Sequence, residues 1–146
     1  METKEILKEI NKDFYSLRNG IIVDSLRKIY PVGTKIFGLN VPQFMELARK
    51  YSKELNLGLE LWKDKDCRES RLLSLYIIPP AELKKEIAKE MVKEVKSVEE
   101  AEFLAFRILR NLPYAKELLE ELTQEEISES LPAYCIAMFK KNLDQI

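Results

Sequence analysis

An all-α fold is predicted by three features of the sequence. Apolar residues recur at spacings of three and four along most of the chain, the period of a helix with one buried face. No stretch alternates apolar and polar residues with the period of two that a half-buried strand needs. Helix-start signals and first-turn prolines punctuate the apolar runs, and no long loop separates them.

The elements follow in order. Ile6, Ile10, Phe14 and Leu17 make the first stripe, on a helix expected over 3–18. Ile22, Leu26 and Ile29 make a second over 20–29, stopped by Pro31. In GTKIFGLNVPQFMELARK, residues 33–50, the two glycines permit tight turns, Asn40 is placed to cap the next helix, and Pro42 suits its first turn. That helix is expected over 41–55, with Phe44, Leu47, Ala48, Tyr51 and Leu55 on one face. Segments 57–64 and 67–78 follow, the latter opened by Asp66 and Glu69 at capping-box spacing. Leu83, Ile87, Met91 and Val95 mark 81–95 behind Pro80. Ser97 with Glu100 opens 98–110, where Leu104, Ile108 and Leu112 form the stripe. Pro113 starts 113–121, and Thr123 with Glu126 opens 124–143, in which Pro132 either sits in a first turn or splits the segment.

About nine short helices with brief links make either a closed bundle or a row of stacked pairs. Units of about thirty to forty residues fit a HEAT-like array, a curved superhelix of antiparallel pairs with one layer lining a concave face. The 146 residues suit one domain, 1–146, with a real core.

Composition narrows the chemistry. Apolar residues at 46% exclude a disordered chain, and charged residues at 34% imply a wet, mixed surface. No apolar run approaches the ~20 residues that span a membrane. The amphipathic start METKEILKEI does not resemble a secretory signal, so no membrane partner and a cytoplasmic location are expected. Cys67 and Cys135 lie far apart and outside any CxxC pair, so neither a disulfide nor a metal site is expected. There is no histidine, which excludes Ser-His and Cys-His nucleophile pairs and histidine metal sites. The net charge of −1 excludes a uniformly basic nucleic-acid binder, yet residues 1–80 carry 14 basic against 11 acidic side chains and residues 81–146 carry 10 against 14. A polyanion would prefer the first half.

Gly33 and Gly38 have the spacing that opens a phosphate-binding loop. Leu39 and Asn40 stand where that motif needs Lys and then Ser or Thr, so no nucleotide cofactor, and no cofactor of any kind, is expected. Cations offer a different site. Lys35, Arg49, Lys50 and Lys53 make one half of a patch, in which Arg49 and Lys53, four apart, share an expected helix face and Lys50 points elsewhere; with Arg27 and Lys28 they could form a shallow basic track. Lys63, Lys65, Arg68 and Arg71, gathered around a helix start, make the other half. Together they are candidates for phosphate contact; taken singly, each is a solvated charge or, for Arg68 and Arg71, a local partner of Glu69 worth ~0.5 kcal/mol or less. Glu99 and Glu102, three apart, share a face and are candidates for carboxylate catalysis, although negative charge near a helix start is also favoured by the dipole. The acidic run from Glu117 to Glu129 reads as a solvated face. Phe103, Phe106, Tyr114, Tyr134 and Phe139 are candidates to stack bases, but their helical spacing among leucines makes most of them core; Tyr30 and Phe37 beside the glycine loop have the better claim to exposure, and even there the core reading is favoured.

Several of these stretches carry a resemblance in the right order over most of residues 1–120. IVDSLRKI, FGLNVPQFMELARKY, then LW, a short charged gap, RESRLLSLYIIPP, and EAEFLAFRILRNLPYAKELL together resemble the DNA alkylation repair family of HEAT-like proteins. The resemblance implies a helical superhelix whose basic concave face cradles duplex DNA. For active members it implies a glycosylase that removes positively charged alkylated purines, using a carboxylate near the sugar and tryptophans around the lesion. The family's Trp-Asp segment corresponds to KSVEEAEFLAF, residues 96–106, which has no tryptophan; Glu102 is the positional match for the carboxylate, with Glu99 close by. Trp62 matches the LW position and reads as core packing. The nucleic-acid contacts expected are Lys35, Arg49, Lys53, Arg68 and Arg71. The second reading is a catalytically inactive helical scaffold that binds a protein partner.

Overall fold

The computed structural model describes residues 2–145. It is all-α as expected: nine α-helices occur among the described residues, with one isolated parallel bridge between Lys35 and Cys67. The chain divides into two compact units, Met1–Ile78 and Pro79–Ile146. No described helix is long and apolar enough to cross a membrane.

The first unit holds α1 (Thr3–Leu17), α2 (Gly20–Leu26), α3 (Val41–Tyr51), α4 (Leu55–Lys63) and α5 (Arg68–Ile77). Helix α5 packs against both α4 and α3, and every one of its residues is buried, the charged ones included. Phe44 of α3 stacks on Tyr76 of α5, ring centres 5.8 Å apart and planes within 15°. Gly58 lets α4 close on the end of α5: a Cβ there would lie 2.4 Å from Cγ1 of Ile78. Asn40 and Gln43 form the full reciprocal cap of α3, with Pro42 in the first turn. Two boundaries differ from the periodicity. Helix α2 stops at Leu26, leaving Ile29 exposed. Helix α3 stops at Tyr51 because Ser52 turns to φ 68°, so Leu55 opens α4 instead of ending α3.

In the second unit a 3-10 turn (Pro80–Glu82) leads to α6 (Lys85–Glu94), α7 (Val98–Phe103), α8 (Ala115–Gln124) and α9 (Ser130–Asp144). Helix α7 does not run on regularly. It passes through a π-helical turn (Leu104–Ile108) and a 3-10 turn (Leu109–Asn111). Helix α9 packs against α6, α7, the π turn and α8, with Cys135 and Phe139 fully buried. The Ser97–Glu100 start signal holds: Ser97 accepts from the Glu100 N–H at 3.1 Å, and the Glu100 carboxylate reaches back to the Lys96 N–H at 2.9 Å. The Thr123–Glu126 signal does not. Helix α8 continues through Gln124, the Thr123 hydroxyl donates to the Leu119 carbonyl at 2.8 Å, and Glu126 takes φ 51° beyond the helix end. Pro132 occupies the first turn of α9 and does not split it. The acidic run is not simply a solvated face either. Lys85, Lys89 and Lys93 of α6 pair with Glu117 and Glu121 of α8 and with Glu125 just past its end, at 2.7–3.7 Å.

Candidate nucleic-acid interface

The glycine loop binds an anion, and the anion is the protein's own. The Glu69 carboxylate accepts from the backbone N–H groups of Phe37, Gly38 and Leu39 at 2.8, 2.9 and 3.4 Å. Successive N–H groups converging on one carboxylate form the kind of concavity that elsewhere holds phosphate. Gly38 makes this geometry possible. It sits at φ 86°, and a Cβ there would lie 2.5 Å from the Asn19 carbonyl oxygen. Arg68 closes the arrangement, donating to Glu69 at 2.6 Å and to the Leu39 carbonyl at 3.1 Å. The Lys35 N–H to Asp66 and Arg68 N–H to Lys35 bonds, 2.7 and 3.0 Å, tie the same loop to the start of α5. Glu69 is therefore not half of a capping box with Asp66; Cys67 is the N-cap residue.

This corrects the expectation for two of the cations. Arg68 and Arg71 are 5% and 3% exposed, inside the unit and off any surface track. Arg68 neutralises the buried Glu69, and the Arg71 guanidinium lies 3.6 Å from the centre of the Trp62 ring. Trp62 is core, as its place in the sequence suggests. Charged groups tolerate such burial only when they are paired and hydrogen-bonded, and for Arg68 the loop and Glu69 of α5 supply the partners.

Lys35, Arg49 and Lys53 do face solvent. Lys35 stands over the Tyr15 and Phe37 rings at 5.2 and 5.1 Å, which leaves its ammonium at the surface. Arg49 and Lys53 do not share a helix face, because α3 ends between them. Lys28 and Lys65 are exposed; Lys63 pairs with Glu60 at 3.0 Å, and Arg27 donates to the Thr34 carbonyl at 2.8 Å. Lys50 is engaged at 2.9 Å by Asp13, which also accepts the Tyr51 hydroxyl. Burial, with that hydrogen bond second, holds the Tyr51 phenol above its ordinary pKa.

The second unit presents a different surface. Glu102 accepts the Tyr134 hydroxyl at 2.8 Å, joining α7 to α9 at the surface, and that bond holds the phenol above its ordinary pKa. One turn on, Phe106 projects from the π turn and is 46% exposed. Val98, one turn before Glu102, is exposed too. The Arg110 guanidinium covers the Phe106 ring at 3.8 Å and donates to the Phe106 carbonyl at 2.8 Å. Glu99 is half-buried beside this stripe.

Tyr30 and Phe37, for which the core reading outweighs their better claim to exposure, are buried at 7% and 4%, whereas Phe106 and Tyr134, assigned to the core by their spacing, are exposed. Phe139 is core as expected, and Tyr114 is half-buried with its hydroxyl on the Leu83 carbonyl. The exposure of Phe106 goes with the π turn at Leu104–Ile108, which a regular helical period cannot show. Among the described residues no cluster of His, Cys, Asp or Glu is arranged to hold a metal ion.

Comparison with known proteins adds one match. The family model described as DNA alkylation repair enzyme matches residues 10–128, more than half of the chain and parts of both units. No curated protein and no solved structure matches.

Proposed function

The chain belongs to the DNA alkylation repair family, and from that premise we propose that it binds duplex DNA through exposed cations of its first unit and presents Glu102, with Tyr134 and Phe106, to a positively charged alkylated purine. The HEAT-like pairing of its helices is part of the same proposal. Lys35, Arg49 and Lys53 are the phosphate contacts, since they are exposed and chemically suited to a polyanion. Arg68 and Arg71 support binding only indirectly, by holding the fold.

One observation carries the lesion site: a surface carboxylate hydrogen-bonded to an exposed tyrosine, one turn from an exposed phenylalanine. Exposed aromatic faces attract a cationic ring, and Glu102 adds a negative charge beside them. The chemistry that fits is base release. When the bond from C1′ to the purine nitrogen breaks, its electron pair neutralises the charged base, and positive charge develops on the sugar. A carboxylate stabilises that charge, and water then adds to C1′, losing its proton to solvent or to the carboxylate. The departing ring is already cationic, so the step needs no histidine to protonate it.

Binding of a labelled duplex, intact or carrying an alkylated purine, across a salt series tests this. The slope of log affinity against log salt should fall by about one for each of Lys35, Arg49 and Lys53 replaced by Ala. A preference for the alkylated duplex that Glu102→Gln removes, together with base release by the parent protein, establishes the lesion site. No binding even at low salt would overturn the reading and leave the protein-binding scaffold.

A further inference from the structure

We propose that Arg110 is a built-in occupant of the lesion site, standing in for the cationic base until one arrives. The inference rests on the reading of Glu102, Tyr134 and Phe106 given above and adds a control to it. The guanidinium is planar, delocalised and permanently charged, the same properties that distinguish an alkylated purine from a normal one. It lies 3.8 Å from the centre of the Phe106 ring, so a base cannot stack on that face while the side chain stays. Its tether is light: one hydrogen bond from Nε to the Phe106 carbonyl, from a 3-10 turn at the end of an irregular helix. Arg110 is only partly buried, which leaves the side chain room to swing outward. A neutral base gains little from the exposed aromatics and does not displace a cation from them. A charged base competes on equal terms and gains Glu102 as well. The contact thus works as a filter that raises the threshold for undamaged bases.

Removing the occupant should tighten binding of a cationic ring. The probe is 1-methyladenosine, whose ring is cationic at neutral pH and which carries no phosphate, with adenosine as the neutral control. It is titrated into the full chain by calorimetry or by NMR. Arg110→Ala should bind 1-methyladenosine about two- to fivefold more tightly than the parent, the value of one exposed cation–π contact. The gain should persist at high salt, because a blocking contact is not screened as long-range repulsion is. Arg110→Gln keeps a donor for the Phe106 carbonyl and should give the same gain if Ala unsettles the turn. A gain that vanishes with salt shows simple like-charge repulsion and overturns the proposal. Unchanged or weaker binding by the variants, with the parent still binding, overturns it too and leaves the lesion site standing. If neither parent nor variants bind the charged nucleoside, the lesion-site reading fails and the proposal with it.

Discussion

Glu69→Gln is the sharpest test of what holds the first unit together. The substitution keeps the shape and removes the charge. In the native fold the carboxylate takes three backbone N–H donors and the Arg68 guanidinium, and its side chain is 0% exposed. The Gln carbonyl can keep one or two of those donors, but its NH2 group must face another donor. Arg68, whose side chain is 6% exposed, loses its counter-charge in place. Breaking one partner of a buried pair costs about 3–5 kcal/mol, against about 0–1 kcal/mol for a pair at the surface. A domain of ordinary stability has about 5–15 kcal/mol in all, so the loss is a large share. The sole tryptophan, Trp62, is buried in the same unit, so urea unfolding followed by its fluorescence reads the loss directly. Adding Arg68→Met should recover part of it, because the stranded charge is gone. A loss under about 1 kcal/mol for Glu69→Gln alone would refute the reasoning, since it is the value expected of a solvated pair.

Three further outcomes follow from the packing. Gly58→Ala should lower the melting temperature, because overpacking against Ile78 costs about 1–3 kcal/mol and outweighs the ~1 kcal/mol of better helix propensity; a rise would show that the end of α5 gives way freely. Arg71→Gln should lower the melting temperature and leave the salt slope of DNA binding unchanged, unlike Arg49→Ala, because the guanidinium packs on Trp62 and not on a phosphate. Burial pushes the Cys135 thiol from its ordinary 9.0 up to about 12. The folded state thus favours the protonated thiol, whose contribution is complete below the ordinary value and fades as pH climbs toward about 12. A thiol reagent at mildly alkaline pH should leave Cys135 unmodified until urea unfolds the chain, and prompt labelling of the native protein would contradict the burial.

The all-α class was legible because apolar spacing and capping are local. Asn40 with Gln43, and Ser97 with Glu100, act within one turn, and both behave as their spacing implies. Arg68 and Arg71 were not legible. A charged helix start reads as solvent-facing; a loop about thirty residues upstream makes the burial of Arg68 and Glu69 tolerable, and Arg71 packs on Trp62. Thr123 and Glu126 show the converse: correct spacing without a helix start, because α8 had not yet ended. At the candidate site Glu102 was reachable by position in the sequence, and Phe106 and Tyr134 only as aromatics that helical spacing assigned to the core; Arg110 was not reachable. The Arg110–Phe106 contact arises at the π turn, and the Glu102–Tyr134 bond depends on α9, some thirty residues away.

The carboxylate in the glycine loop also dictates an order of assembly. Glu69 can leave water only when the Phe37, Gly38 and Leu39 amides are already positioned, 30–32 residues back along the chain. Docking α5 with the loop open would bury a charge that nothing accepts, and closing the loop first would leave its amides facing nothing. Neither half-formed state is a resting place. Loop and helix must arrive together and depart together, so the amides of 37–39 should exchange with deuterium at the pace of the α5 backbone instead of the pace of a surface loop. A segment that looks like a connector is, in the sense of cooperative unfolding, an inner part of the helix it encloses.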